Sequence, residues 1–340
     1  MMNLAVFQDY ARSLTSEECI KGYSVEEENA DAEDASSVFF ELANAPLVGF
    51  RVIPSNVGVD NEDGMVIIKQ HNDAKAHTGG IVWETAYLLA LFLSFKFGNN
   101  KADGSLGKTL EIGAGLGMLG LILAANKLAS RVVMTEAEEV MEILIDNVNQ
   151  NVIEAHDNEK KSVHGMPYFP VCPKECISVR QLRWDCLQED ISYAAADRNR
   201  EEENDLEPHS FDTIVGTDVV FSPSLVCPLL ETIQCMARMK NEYSASTRIY
   251  LCLQIRCSDS HKLLFSEAHK YGLEVIDITD ELSSICPWAV ELECLLLQIN
   301  VTRKVSKEVS KKRKKSSKEK SKKKHKKKSE RSSKKRKRVE

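Results

Sequence analysis

The chain has 340 residues, of which 43% are hydrophobic, enough for one or two globular domains with a sizeable core. Its net charge of −6 hides two opposed regions, because residues 301–340 carry 22 Lys and Arg against four Glu, which leaves −24 on residues 1–300. No apolar run reaches the roughly 18–20 residues of a membrane span, and the N-terminal "MMNLAVFQDYARS" lacks the basic segment of a signal peptide. We therefore expect no membrane partner, no export and ten reduced cysteines.

The first part of the chain, residues 1–64, is predicted to be an arm with a β-ribbon. Residues 1–35 end in the acidic cluster "EEENADAED", which is typical of a solvated linker. Three short β-rich runs come next, "SVFFELA", "GFRVIP" and "MVIIKQ", and they predict the ribbon. The run "WETAYLLALFLSFKF", from Trp83 to Phe97, is apolar on most sides and predicts a buried helix.

Residues 65–300 are predicted to form one α/β domain, since β-rich runs alternate with helical patterns. The β-rich runs are "KTLEIG", "RVVMTE", "ISVRQLRW", "FDTIVGTDVV", "RIYLCLQI", "LEVIDIT" and "CLLLQINV". The helical patterns lie at residues 117–129, 137–152, 224–240 and 259–271. This alternation predicts a doubly wound, mostly parallel sheet of seven strands. Little more than a loop separates the last two runs, which predicts a terminal hairpin with a late antiparallel strand.

Polar segments interrupt and follow this domain. Residues 155–175 and 188–210 predict loop insertions, the second of them mobile. Residues 301–340 are Lys/Ser-rich and cannot bury a core, so they predict a disordered tail. The clusters "KKRKK" and "KKRKR" are compatible with nuclear import and with nonspecific contact to RNA or DNA. We expect the protein in the nucleus, in the cytoplasm, or in both; a merely solubilising tail is the plainer interpretation.

The stretch "TLEIGAGLGMLG" concentrates glycines where the first parallel strand passes into a helix. Glycine is favoured where φ is positive or where a ligand comes close to the backbone, so Gly113 and Gly115 predict a ligand site. "GLGMLG" also fits the dinucleotide pattern G-x-G-x-x-G, and a purely structural turn stays an alternative. Glu136 ends the next strand, where a carboxylate can accept hydrogen bonds from ribose hydroxyls. These residues predict an adenosine ligand without choosing between NAD and S-adenosylmethionine.

Six segments in order carry a more specific signal. They are "IIKQ…TGGIVWETAYLLALFL", "LEIGAGLGMLGLILA", "VVMTEAEEVMEILIDNVNQN", "LRWD", "FDTIVGTDVVF" and "LQIR". Together they resemble the methyltransferase-like 21 family of seven-β-strand protein-lysine methyltransferases. The resemblance implies a Rossmann-like methyltransferase domain at residues 65–300, S-adenosylmethionine as cofactor, and a monomer acting on a protein substrate such as a chaperone or translation factor.

The resemblance also implies which residues hold the cofactor, by flanking it, giving it backbone contacts, taking its ribose or lying beside its adenine. This predicted cofactor-binding set is Trp83, Gly113, Ala114, Gly115, Glu136, Trp184 and Thr217. The plainer interpretation of Trp83 and Trp184 is that of core tryptophans. Two members depart from the family pattern, because Glu136 stands for a usual Asp and Thr217 for a usual Ala.

The predicted catalytic pair is Asp218 and Phe221. The attacking lysine amine must be neutral, and at pH 7 only about one free lysine in a thousand is neutral. Asp218 would orient the amine N–H groups, and Phe221, which stands for a usual Tyr, would offer an aromatic wall to a cationic or methylated amine. A strand-end carboxylate satisfied by backbone is the plainer interpretation of Asp218. We predict no metal, since the C-x3-C of Cys172 and Cys176 lacks a second pair at zinc spacing.

Three other function classes stay open from the sequence. A nucleic-acid methyltransferase would suit the basic tail, but "DVVF" lacks the prolines of the Asn/Asp-Pro-Pro-aromatic motif that is usual for base methylation. An NAD-linked oxidoreductase would explain the glycines and Glu136, but not the segments around Trp83, Trp184 and Asp218. A non-enzymatic binding module that has kept the fold is the third.

Overall fold

Strands and helices alternate along most of the chain that the computed structural model describes. The described residues are 13–15, 47–51, 65–71, 77–98, 105–153, 161–163, 166–168, 170, 172–196, 205–239 and 245–302. Their strands are β1 (Ser13–Thr15), β2 (Leu47–Arg51), β3 (Met65–Lys69), β4 (Lys108–Ile112), β5 (Arg131–Glu136), β6 (Val152–Ile153), β7 (Lys161–Val163), β8 (Met166–Tyr168), β9 (Cys172–Pro173), β10 (Ile177–Gln181), β11 (Thr213–Thr217), β12 (Arg248–Gln254), β13 (Leu273–Asp277) and β14 (Cys294–Val301). Their α-helices are α1 (Glu84–Phe97), α2 (Met118–Ala125), α3 (Glu138–Asn151), α4 (Leu187–Ala196), α5 (Pro223–Met236), α6 (Ser258–Glu267), α7 (Thr279–Ile285) and α8 (Trp288–Glu291).

The main sheet has seven strands in the order β10-β5-β4-β11-β12-β14-β13. The first five of these run parallel to one another, and β14 is antiparallel to both of its neighbours. The chain moves outward in one direction from β4 through β5 to β10, and in the other from β11 to β12. The order of the strands therefore switches between β4 and β11, which is where open α/β sheets bind ligands.

Two hydrophobic cores cover the two faces of this sheet. Buried side chains of α1, α2, α3, α7 and α8 belong to one core, and those of α4, α5 and α6 belong to the other. Side chains of one strand alternate between them, since Tyr250 and Cys252 of β12 face the first core while Leu251 and Leu253 face the second. The predicted doubly wound, seven-stranded α/β fold with a late antiparallel strand is confirmed.

A small antiparallel sheet, β1-β2-β3, precedes the main domain. Its strands β2 and β3 confirm the predicted ribbon at "GFRVIP" and "MVIIKQ", whereas "SVFFELA" lies outside the described residues. The outer edge of β3 is bound by two buried amides of α3. Asn151 accepts from the Ile67 N–H at 2.7 Å and donates to the Ile67 carbonyl at 2.6 Å, and Asn147 does the same for Lys69 at 2.9 and 3.1 Å. These amides stand in for a neighbouring strand.

The helix predicted at residues 83–97 forms as α1. Every residue from Thr85 to Leu93 is buried, so this part of the helix is buried on all sides. The prediction of loops was wrong in three places. Residues 187–196 form α4. One of its buried residues is Asp190, whose charge is paired with Arg183, so hydropathy alone does not mark the buried side of this helix. The polar segment before β10 contains the hairpin of β7 and β8. The stretch between β13 and β14 contains α7 and α8, so these strands pair without forming a tight hairpin.

The second predicted insertion ends in a segment that packs against the main sheet. The Asp205 side chain is 1% exposed and pairs with Arg131 at 2.5 Å and Arg180 at 2.7 Å, which ties it to β5 and β10. The predicted acidic linker and the tail after Thr302 lie outside the described residues. Among the helices that the structure does describe, none combines the length and the apolar character that crossing a bilayer requires.

Candidate functional site

A cavity of about 720 Å³ opens at the carboxyl edge of the sheet, where β4 and β11 lie side by side. Its size is within the range of small-molecule sites. All nine residues of the two predicted site sets line it, namely Trp83, Gly113, Ala114, Gly115, Glu136, Trp184, Thr217, Asp218 and Phe221. The fold thus brings together residues that are up to 138 positions apart in the sequence.

The glycine turn forms the floor of the cavity after β4. Gly113, Gly115 and Gly117 have φ values of +66°, +54° and +83°, which few other residues tolerate. A Cβ on Gly113 would also lie 3.0 Å from Val219 and 3.4 Å from Trp184, so a side chain would intrude on the cavity wall. A backbone hydrogen bond stabilises the turn, since the Ala114 N–H donates to the Thr135 carbonyl of β5 at 2.9 Å.

The end of β5 is joined to this turn through Glu136. Its Oε2 accepts from the Gly115 N–H at 2.9 Å, and its Oε1 accepts from the Ala137 N–H at 3.0 Å. Burial raises the pKa of Glu136, and these two hydrogen bonds lower it in part. Each oxygen keeps a lone pair for a further donor. Its predicted role as ribose acceptor remains a prediction, and its position at the cavity is compatible with it.

The two tryptophans are half-buried cavity residues rather than fully buried core residues. Trp83 immediately precedes α1, and the Arg256 guanidinium lies over its ring, 4.1 Å from the centroid. Trp184 belongs to a short 3₁₀ turn after β10 and lies against Gly113. Both line the cavity, which is compatible with their predicted roles, and those roles remain predictions.

Asp218 follows β11 directly and is held in an uncommon backbone conformation with φ of +50°. Its Oδ1 accepts from the Gln254 N–H at 2.8 Å, and its Oδ2 accepts from Arg256 Nη2 at 3.0 Å. The plainer interpretation of Asp218, a carboxylate satisfied by backbone, therefore holds for Oδ1 but not for Oδ2. Thr217 lines the cavity beside it, and Phe221 is 45% exposed, an aromatic ring on the cavity wall that solvent also reaches.

Glu84 and Arg256 lie in the segments "WETAYLLALFL" and "LQIR", but the sequence predicted no role for either residue. The Arg256 guanidinium binds Asp218 and also Glu84, the latter at 3.2 Å. The two carboxylates and the arginine come from three segments of the chain, so only the fold brings them together. The available signals were the Glu after Trp83 in "WET" and the Arg at the end of the fifth strand.

The charge of the cavity lining is predominantly acidic. Its acidic residues are Glu136, Glu139, Asp185 and Asp218, and its basic residues are Arg183 and Arg256. Arg183 is already paired with Asp190 at 2.5 Å, and Arg256 with Asp218 and Glu84. Such a lining favours a cationic ligand such as a sulfonium over a ligand that carries a pyrophosphate.

Among the described residues, no group of three or more His, Cys, Asp or Glu side chains is arranged to hold a metal ion. Of the predicted C-x3-C, Cys172 is buried and its thiol donates to the Leu121 carbonyl at 3.4 Å. Burial also raises the pKa of Cys172.

Comparison with known proteins places these features in a family context. A family model described as lysine methyltransferase matches residues 61–167. Protein N-lysine methyltransferase METTL21A of Danio rerio is 23% identical over 197 residues, which cover 58% of this chain and 70% of that protein. An uncharacterized protein of Dictyostelium discoideum is 27% identical over 224 residues, which cover 65% of this chain and just 57% of that protein.

Among solved structures, TYW2 of Pyrococcus horikoshii in complex with MeSAdo is similar with a TM-score of 0.35, 12% identity and coverage of 65% of each chain. The family model and the zebrafish relative confirm the resemblance to the methyltransferase-like 21 group. Over residues 61–167 the chain is similar to lysine methyltransferases, which supports a methyltransferase activity.

Proposed function

We propose that this methyltransferase domain uses S-adenosylmethionine to methylate a lysine side-chain amine of a protein substrate. The observation that carries the proposal is the convergence of the glycine turn, Glu136, Trp83 and Asp218 on one cavity. These groups come from separate parts of the chain, namely the turn after β4, the end of β5, the residue before α1 and the residue after β11. Glu136 and the glycine turn suit a nucleoside, and Asp218 suits an amine.

The residues present fit the cofactor in shape and charge. A side chain on Gly113 would come within 3.0 Å of Val219, so the bare backbone there keeps room for a close ligand. Glu136 would accept from the ribose hydroxyls, and the acidic lining would attract the sulfonium. When bound, S-adenosylmethionine supplies an electrophilic methyl group, whose C–S bond breaks as the bond to the amine nitrogen forms.

The chain's own groups would prepare the amine for that attack. Asp218 lies at the cavity with one oxygen fixed by Gln254 and the other by Arg256, so its carboxylate has a defined direction for accepting an N–H bond. Orientation of the attacking nitrogen is where most of the rate gain of such a displacement arises. The Phe221 ring on the cavity wall would face the cationic amine before and after transfer.

The rival functions fit the cavity less well. NAD carries a pyrophosphate, and both arginines of the lining are already engaged by carboxylates. A nucleic-acid substrate would bring phosphates to the same acidic lining. The basic tail could still recruit RNA or DNA, so the acceptor has to be identified directly.

The test is transfer of labelled methyl groups from S-adenosylmethionine to cell extract. We expect labelled protein bands with the wild type and their loss with Glu136→Ala and Asp218→Asn, the latter chosen because Asn tolerates positive φ. The matched control is Asp259→Ala, which removes a carboxylate that is 81% exposed and should leave the labelling unchanged. Label in nucleic acid would establish the rival acceptor, and no label in either fraction would refute the proposal.

A further inference from the structure

One guanidinium connects three side chains at the cavity. Arg256 donates to Asp218 Oδ2 from Nη2 at 3.0 Å and from Nε at 3.3 Å. It also donates to Glu84 Oε1 at 3.2 Å, and it lies over the Trp83 ring at 4.1 Å. Arg256 thus pairs with Asp218, the predicted catalytic carboxylate, and lies over the ring of Trp83, a predicted cofactor residue. Among the described residues that line the cavity, no other makes both kinds of contact.

The burial of the two carboxylates shows that this cluster is more than a surface ion pair. The Asp218 side chain is 8% exposed and the Glu84 side chain 12%, while Arg256 is 32% exposed. Carboxylates this far from solvent are costly unless a cation compensates them. Arg256 is itself fixed by its backbone, whose N–H donates to the Gln254 carbonyl at 2.8 Å. Gln254 in turn binds Asp218, so the arginine and its main partner share one support.

We propose that Arg256 is a positioning residue for methyl transfer, which fixes Asp218 and offsets the negative charge that the incoming amine meets. This inference rests on the proposed function. Without Arg256, the amine would approach two uncompensated carboxylates, which would hold it in the protonated, unreactive form. With Arg256 in place, Asp218 can still accept an N–H bond, while the adjacent positive charge favours the neutral amine.

One titratable group beside this cluster can lose its proton in the alkaline range, because hydrogen bonds with Ser260 lower the pKa of the Cys257 thiol, which is next to Arg256 in the chain. Burial lowers the pKa of His261 on α6, so this ring loses its charge below the usual range for histidine. Burial raises the pKa of Cys252 on β12 and of Cys294 on β14, the latter to about 12, so both remain thiols. The remaining charged groups of the cavity are Glu136, Glu139, Arg183 and Asp185. The pH profiles are therefore also compared in a Cys257→Ser background, where an alkaline shift of activity on changing Arg256 reports the amine.

The experiment compares the wild type with Arg256→Gln, Arg256→Lys and Glu84→Gln. The acceptor is the labelled protein band of the cell extract, and its initial labelling rate is measured from pH 6 to 10. We expect Arg256→Gln to slow labelling at pH 7 about tenfold or more and to move the pH–rate profile up by about one unit, a tenfold change in the neutral amine fraction. Arg256→Lys should restore much of both. Glu84→Gln removes one negative charge and should move the profile toward lower pH.

Binding of S-adenosylmethionine, measured by calorimetry, keeps the two levels of inference apart. Arg256→Gln should still bind the cofactor, which also shows that the variant is folded. If the wild type labels protein but the profiles of wild type and Arg256→Gln superimpose, the role of Arg256 is wrong and the proposed function stands. A faster Arg256→Gln would also overturn it, since the arginine would then obstruct the amine. If the wild type labels no protein, the proposed function itself fails.

Discussion

The Glu136 carboxylate and the Gly115 N–H are hydrogen-bonded at 2.9 Å, which closes the end of β5 onto the glycine turn. This hydrogen bond holds the Glu136 side chain at the cavity and also stabilises the glycine turn. Removing the carboxylate therefore removes both the predicted ribose acceptor and a brace of the turn.

We expect Glu136→Ala to weaken S-adenosylmethionine binding at least tenfold, because a buried acceptor and its charge are both lost, worth roughly 1.5–3 kcal/mol. The measurement is a titration of the melting temperature with the cofactor, in which the variant should need far more ligand for the same rise. Glu138→Ala is the matched control, since this neighbouring acid is exposed and does not line the cavity. Equal affinities of wild type and Glu136→Ala would exclude the ribose role.

The two asparagines of α3 should be important for stability rather than for chemistry. Asn151 is fully buried and satisfies both backbone groups of Ile67. Asn151→Ala leaves an N–H and a carbonyl without partners, so we expect a loss of about 2–3 kcal/mol in the free energy of unfolding. Urea unfolding measures it, and Asn149→Ala on the exposed side of the same helix should change it by less than about 0.5 kcal/mol. A similar loss in both variants would contradict the strand-like role of Asn151.

Glu111 should make the stability of the protein depend on pH. It is 1% exposed, and burial raises its pKa from 4.5 to about 8. Between about pH 5 and 8 the folded protein therefore holds a proton that the unfolded chain releases, so this group makes stability fall as pH rises. Glu111→Gln removes the titration. We expect its melting temperature, relative to wild type, to rise from pH 5 to pH 8.5, and a constant difference across that range would show that Glu111 does not titrate there.

The basic tail should be dispensable for the cofactor site. In the register of β14 with β12, Cys294 lies opposite Gln254 at the cavity edge, and the strand then runs away from that edge to Val301. The chain after Thr302 therefore begins at the opposite edge of the sheet. Deleting residues 305–340 should leave S-adenosylmethionine affinity within about twofold of wild type, as measured by calorimetry. A large loss of affinity would place the tail in the site.

Local sequence signals predicted the parts of the site that lie along one stretch of chain. The glycine turn and Glu136 could be read directly, because β4, the turn, α2 and β5 follow one another along one stretch of the chain. The pairing of Asp218 with Arg256 spans 38 positions and has no periodic signal, so only the strand order of β11 and β12 reveals it.

Polar burial explains most of what the sequence did not predict. Helix α4 was mistaken for a loop, since one of its two buried residues is Asp190, which hydropathy treats as exposed. The role of Asn147 and Asn151 depends on β3, more than 75 residues earlier in the chain. In both cases a specific partner, Arg183 or the edge of a strand, makes burial of a polar group favourable.

The central claim is that the cavity binds an adenosyl sulfonium and presents its methyl group to an amine. The most direct measurement is a calorimetric titration of the folded wild-type protein with S-adenosylmethionine and, separately, with NAD. We expect saturable heat from one site with S-adenosylmethionine and none with NAD. Saturable heat with NAD alone, or no heat with either compound, would contradict the claim.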